Sequence, residues 1–158
     1  KMYQYKQSGL DNVWLADGYK IINTPYGEAV QFEDANSLDL AIANALIHQK
    51  EPLTGKEFRF LRQQIGMSQN DVATFMHVDA QSVARWEKGQ TSLPFANEAI
   101  MRFIYSSYQE KDAKIYPMLE TMKVIDKARN SRLILSFDKD KTNWKVNKEQ
   151  EHPIGSVI

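Results

Sequence analysis

The sequence predicts an α+β chain, with a small N-terminal antiparallel sheet and one helix, then a five-helix domain, then a C-terminal β-hairpin. Residues 13–32 alternate short apolar runs with Asp-Gly and Pro-Tyr-Gly turn signals. Residues 55–128 repeat apolar side chains at helical spacing, punctuated by capping residues and prolines. Leu133–Phe137 and Trp144–Val146 flank a polar stretch, as the strands of a hairpin do. The chain therefore divides into residues 1–53, 54–128 and 129–158.

In the first segment, Val13-Trp14-Leu15-Ala16 and Tyr19-Lys20-Ile21-Ile22 flank Asp17-Gly18. That pair suits a type I′ turn, in which both central residues take positive φ, so the two runs are expected to pair with each other. Thr24-Pro25-Tyr26-Gly27 marks a second turn, Ala29 to Phe32 a third strand, and Tyr3-Gln4-Tyr5 a candidate extra strand. A helix is expected from about Ser37 to Gln49, with Asn36 and Asp39 offering capping groups and Leu38, Ile42, Ala45 and Leu46 forming the apolar stripe. It should cover one face of the sheet. Gln49 to Leu53, with Pro52, reads as a linker.

The middle segment reads as helices over roughly 55–66, 69–76, 80–88 and 95–108, with Pro94 placed to open the last. Pro117 fits the first turn of a fifth helix ending near Ala128, whose Met118, Leu119, Met122 and Ile125 form a stripe suited to the core or to a dimer seam. A polar tail follows from about Asn147.

A composition of 42% hydrophobic and 25% charged residues is that of an ordered soluble chain. No apolar run approaches the roughly 18 residues that span a bilayer, and no charged-then-apolar leader opens the sequence, so a cytoplasmic protein without membrane contact is expected. There is no cysteine, and His48, His77 and His152 lack ligand spacing, which leaves no metal or cofactor site to expect. Twenty basic residues balance twenty acidic ones, so any nucleic-acid contact must be local rather than carried by a global field. Residues 1–53 hold four basic and seven acidic groups, the poorest balance for facing phosphates.

The run from Gln69 to Lys88 carries the functional signal. Ser68 and Asp71 stand at capping-box spacing before one short helix, Asp79 can cap a second, and His77-Val78 separates them. Val72, Met76, Val78, Val83 and Trp86 fall on the inward faces, with Ala73 small where the helices must approach. Here the chain resembles the XRE family of lambda-repressor-like regulators, whose pattern of Ser-Gln, Ala four residues on, and an aromatic before Glu-x-Gly stands as Ser68-Gln69, Ala73 and Trp86-Glu87-Lys88-Gly89. His77 replaces the glycine that often takes a left-handed conformation there, a role histidine tolerates better than most residues.

Arg85-Trp86-Glu87-Lys88-Gly89 with Ile115-Tyr116-Pro117-Met118-Leu119, and Gly9-Leu10-Asp11-Asn12-Val13-Trp14-Leu15 with Tyr26-Gly27-Glu28, are similar to MqsA-type (YgiT-like) antitoxins and related regulators. The zinc-binding cysteines of the founding antitoxins are absent.

The resemblance implies double-stranded DNA as partner, with the second motif helix in the major groove. Gln81 and Arg85, four apart on one face, would read base edges, Gln suiting adenine and Arg guanine, with Ala80 and Ser82 beside them. Gln69, Asn70, Lys88, Gln90 and Thr91 would touch phosphates, and Arg62 and Glu87 would form a structural pair fixing the helix. A homodimer is implied, with residues 1–53 serving dimerisation, a protein toxin or another partner, and packing on the helical domain or on a second subunit.

Asp138-Lys139-Asp140-Lys141-Thr142-Asn143 echoes a calcium loop, but Asn143 stands where that loop needs glycine, so a hairpin turn is expected. Asp11, Asp17, Glu28 and Glu33 have nothing that fixes any two together, and no phosphate loop or nucleophile elbow occurs. The reading is a non-enzymatic, sequence-specific DNA-binding transcriptional regulator, a dimeric repressor, or alternatively an antitoxin that neutralises a toxin and autoregulates its operon.

Overall fold

The computed structural model describes residues 1–111, 117 and 133–146. Two compact units divide the chain, Lys1–Lys123 and Val124–Ile158.

The strands of the first unit pair differently from the sequence expectation. β1 (Tyr3–Gln4) pairs antiparallel with β2 (Trp14–Leu15), and β3 (Tyr19–Thr24) with β4 (Gly27–Phe32), so residues 13–16 and 19–22 do not form a hairpin. Gly18 has φ +77° but Asp17 is not among the positive-φ residues, so the type I′ turn is not made. The reason is aromatic. Tyr3 packs on Tyr19 and Phe32 with ring centroids 5.1 and 5.8 Å apart, and Tyr5 meets Phe32 at 4.9 Å. Gathering these rings requires Tyr19 opposite Phe32, across a hairpin that turns at Pro25-Tyr26. The single sheet expected is therefore two separate ladders.

Helix α1 spans Ala35–His48, and its cap is Asp34 rather than Asn36 or Asp39. Asp34 sits in the left-handed region at φ 36° and accepts a bond from the Ser37 N–H at 3.2 Å. Asp39 instead accepts from the Tyr5 hydroxyl at 3.3 Å. Burial, and then the neighbouring carboxylate, push the Tyr5 phenol above the usual tyrosine range. Ile42, Ala43 and Leu46 are buried, while Ala45 is exposed. The stripe is displaced because α1 packs on two helices, α2 (Gly55–Gln64) and α5 (Phe95–Glu110), in addition to receiving Tyr5 from the strands.

Between α2 and α5 run α3 (Gln69–Met76) and α4 (Ala80–Glu87). Phe58, Leu61, Val72, Val83, Met101, Ile104 and Tyr105 are fully buried, and the same core contains Tyr5, Leu10, Ile42 and Leu46. Apolar burial is thus continuous across residue 53, where the sequence suggests a boundary. The linker itself is held. Arg102 donates to the carbonyls of Gln49 and Glu51, each at 2.6 Å, and reaches that of Ile47 at 3.4 Å. Glu98, one turn earlier, pairs with Arg102 and accepts the Leu53 N–H at 3.0 Å.

In the second unit, β5 (Leu135–Asp138) pairs antiparallel with β6 (Asn143–Val146). Asp138 accepts from the Asp140 and Lys141 N–H groups at 3.1 and 3.3 Å, Thr142 takes φ 54°, and Phe137 stacks edge-on against Trp144. The expected helix from Pro117 to Ala128, apart from Pro117 itself, and the polar tail from Asn147 lie outside the described residues. Among the described residues no helix is long and apolar enough to cross a membrane.

Candidate nucleic-acid interface

The N-terminus of α3 is closed by a reciprocal box. The Ser68 hydroxyl accepts the Asp71 N–H at 3.0 Å, and the Asp71 carboxylate accepts the Ser68 N–H at 2.8 Å. His77 ends α3 at φ 54° and ψ 45°, and the following Val78 N–H returns to the Ala73 carbonyl at 2.9 Å. That left-handed residue turns the chain into α4. Asp79 occupies the N-cap of α4, but its side chain makes no capping bond, unlike the sequence expectation.

Val72, Ala73, Val83 and Trp86 are buried between the two helices and α2, with Trp86 edge-on to Phe58 at 6.0 Å. Met76 and Val78 pack half-buried on the same core. Turning these positions inward leaves Gln81 and Arg85 outward. Both are exposed, and neither side chain makes a hydrogen bond or ion pair among the described residues. Ala80 and Ser82 beside them are half-buried, and Ala80 packs on the core.

The orientation of α4 is fixed at its last residue. Arg62 donates from Nε to Glu87 Oε2 at 2.7 Å and from Nη2 to Glu87 Oε1 at 2.8 Å, while Nη1 reaches the Met67 carbonyl at 2.9 Å. Both side chains are buried, 10% and 3% exposed, so the fork works away from water. Gln69 adds a bond from Nε2 to Glu87 Oε1 at 3.1 Å, which brings a residue expected at phosphates into the structural pair. Asn70, Lys88, Gln90 and Thr91 are exposed. Gly89, at φ 72°, reverses the chain after α4 so that the Gln90 N–H meets the Arg85 carbonyl at 2.9 Å.

Two features were not read from the sequence. A methyl group at Gly55 would overlap the Trp86 carbonyl, so α2 and α4 approach through bare backbone there. The signal was present as a glycine directly after the capping residue Thr54, whose hydroxyl accepts the Glu57 N–H at 3.2 Å. The second is the Glu98–Arg102 clamp, foreshadowed only by its four-residue spacing.

No curated protein and no solved structure gives a significant match to the chain. Residues 58–97, from the middle of α2 into α5, match the helix-turn-helix family. That segment is an XRE-type helix-turn-helix, the DNA-binding element of transcription regulators.

Proposed function

We propose that the protein is a sequence-specific repressor that binds an inverted-repeat operator as a homodimer, with α4 in the major groove and Gln81 and Arg85 reading bases. The observation that carries this reading is the pairing of two uncommitted, exposed side chains on one face of α4 with a buried fork at its end. Free donors on a fixed helix suit base edges, to which Gln and Arg each make two parallel bonds. Asn70, Lys88, Gln90 and Thr91 flank this face and suit phosphates, and Gln69 keeps one amide hydrogen beyond its bond to Glu87. Residues 1–53, with more acidic than basic groups, serve protein association rather than phosphate contact.

Selection from random duplexes, followed by gel-shift titration of Gln81→Ala and Arg85→Ala, tests the assignment. Each variant should lose about 1–3 kcal/mol at the selected site, and less on scrambled DNA. Unchanged discrimination between the two would remove both residues from base reading.

A second reading, an antitoxin of the MqsA type that neutralises a toxin through residues 1–53, is favoured by the β3–β4 hairpin. Ile21 and Tyr26 stand in solvent on it, 57% and 100% exposed. A small toxic protein encoded beside this gene, binding the intact chain but not an Ile21→Lys variant, would support that role.

A further inference from the structure

Gln81, Arg85 and Lys88 fall at helical positions i, i+4 and i+7, a single stripe, and all three are exposed. The stripe does not stop where α4 ends. It runs into a groove of about 470 Å³ bordered by Glu87 and Lys88. Helix α2 lines that groove with Lys56, Arg59 and Gln63, and the N-terminal segment lines it with Gln7, Ser8 and Gly9.

The two linings differ in what they leave uncommitted. Gln7 donates to the Tyr3 hydroxyl at 3.1 Å. The Ser8 hydroxyl donates to the Tyr5 carbonyl at 2.8 Å and accepts the Leu10 N–H at 3.1 Å, so this lining uses its polar groups to hold its own fold. The Glu87 carboxylate is taken up by Arg62 and Gln69. Arg59, Gln63 and Lys88 are exposed, and their side chains make no hydrogen bond or ion pair among the described residues. Two uncompensated cations and an amide donor therefore line one groove.

Charge sets where this run ends. Lys56 Nζ lies 2.9 Å from each Asp11 carboxylate oxygen. Beyond that pair a second cleft is bordered by Asp11, Glu51 and Glu57, a lining that repels phosphate. The positive stretch is thus confined between Lys88 and Arg59, continuous with the stripe on α4. A polar groove with exposed cations suits phosphates passing along it better than a small ligand, which needs an enclosed and mostly apolar site.

We propose that this groove carries the DNA backbone beyond the bases that α4 reads. Arg59 and Lys88 bind phosphates of the duplex, Gln63 donates to one of them, and residues 7–9 shape the groove without touching DNA. The proposal rests on the reading of α4 as the major-groove helix and extends its contact surface onto α2. Asp11 opposes it as a like charge at the rim, holding Lys56 back from phosphate.

Fluorescence anisotropy of the full chain on the selected operator and on scrambled duplex, from about 50 to 200 mM salt, tests this. Arg59→Gln removes the charge and keeps a long side chain. It should weaken both duplexes by the same factor and lower the slope of log affinity against log salt by about 0.9, with an unchanged melting temperature. Arg59→Lys should keep the parent slope, and so should Lys20→Gln, which removes an exposed cation on β3. Asp11→Asn should tighten binding to both duplexes. A parent slope in Arg59→Gln, beside lost discrimination in Gln81→Ala, would overturn the groove and leave base reading intact. A parent without salt-dependent duplex binding would overturn both. An equal loss of slope in Lys20→Gln would show a general charge effect, and a weaker complex in Asp11→Asn would contradict the rim repulsion. Calorimetric binding of adenosine monophosphate that Arg59→Gln abolishes, with no change in its DNA slope, would give the groove to a soluble phosphate. Any of these three results overturns the proposal.

Discussion

Glu87, the last residue of α4, takes both arms of the Arg62 guanidinium at 2.7 and 2.8 Å, so α4 is tied at its end to α2. Removing either partner leaves a buried charge alone and strips Gln69 or Met67 of a bonding partner. Arg62→Ala and Glu87→Ala should each cost about 3–5 kcal/mol of folding stability. Urea denaturation measures this directly. Variants that unfold like the parent yet bind DNA poorly would make the pair a DNA contact instead of a brace.

Gly55→Ala tests the close approach of α2 and α4. Alanine ordinarily favours a helix over glycine by about 1 kcal/mol. Here the added methyl overlaps the Trp86 carbonyl, and overpacking against backbone costs roughly 1–3 kcal/mol. The net effect should be destabilising, the reverse of the propensity scale, while Lys56→Ala on the next, exposed position should be nearly neutral. A stabilised Gly55→Ala protein would show that the two helices part without penalty.

A chain beginning at Leu53 should be markedly less stable than the full protein, because it loses Tyr5, Leu10, Ile42, Ala43 and Leu46 from the common core. It also leaves Arg102 without its three carbonyl acceptors. Differential scanning calorimetry, with binding of a hydrophobic dye, follows the loss. Equal melting temperatures for the two chains would mark residues 1–53 as an independent appendage.

The helical half was legible because its signals are local. Ser68 and Asp71 cap α3 at the spacing their side chains can span, and His77 holds the left-handed turn that its position demands. The strands were less so. Asp17-Gly18 offers a good turn, but pairing followed the aromatic cluster of Tyr3, Tyr5, Tyr19 and Phe32, which are far apart in sequence. Asp34 caps α1 from the left-handed region at φ 36°, a backbone state that the sequence around it does not announce. Ala43 and Ala45 both fit a helical stripe, and which one is buried depends on α1 packing against two helices at once. For the candidate interface, helical spacing puts Gln81 and Arg85 on one exposed face of α4 and only the family resemblance gives them a role there, whereas the bond from Gln69 to Glu87 depends on where three separate helices meet.

Arg102 grips the linker only through main-chain carbonyls, at Ile47, Gln49 and Glu51, and Glu98 grips it through the Leu53 amide. Every residue type presents that carbonyl, so the join is blind to which side chains occupy those acceptor positions. Substitutions at Ile47 or Glu51 leave these carbonyl bonds in place, Gln49 adds side-chain bonds of its own to the Glu51 carbonyl and Glu57, and a single change at Arg102 releases all three attachments together. Sequence drift should therefore be tolerated on the linker side and resisted on the helix side, so that the first fifty-odd residues could be recast for a new association while the same two side chains kept hold of them.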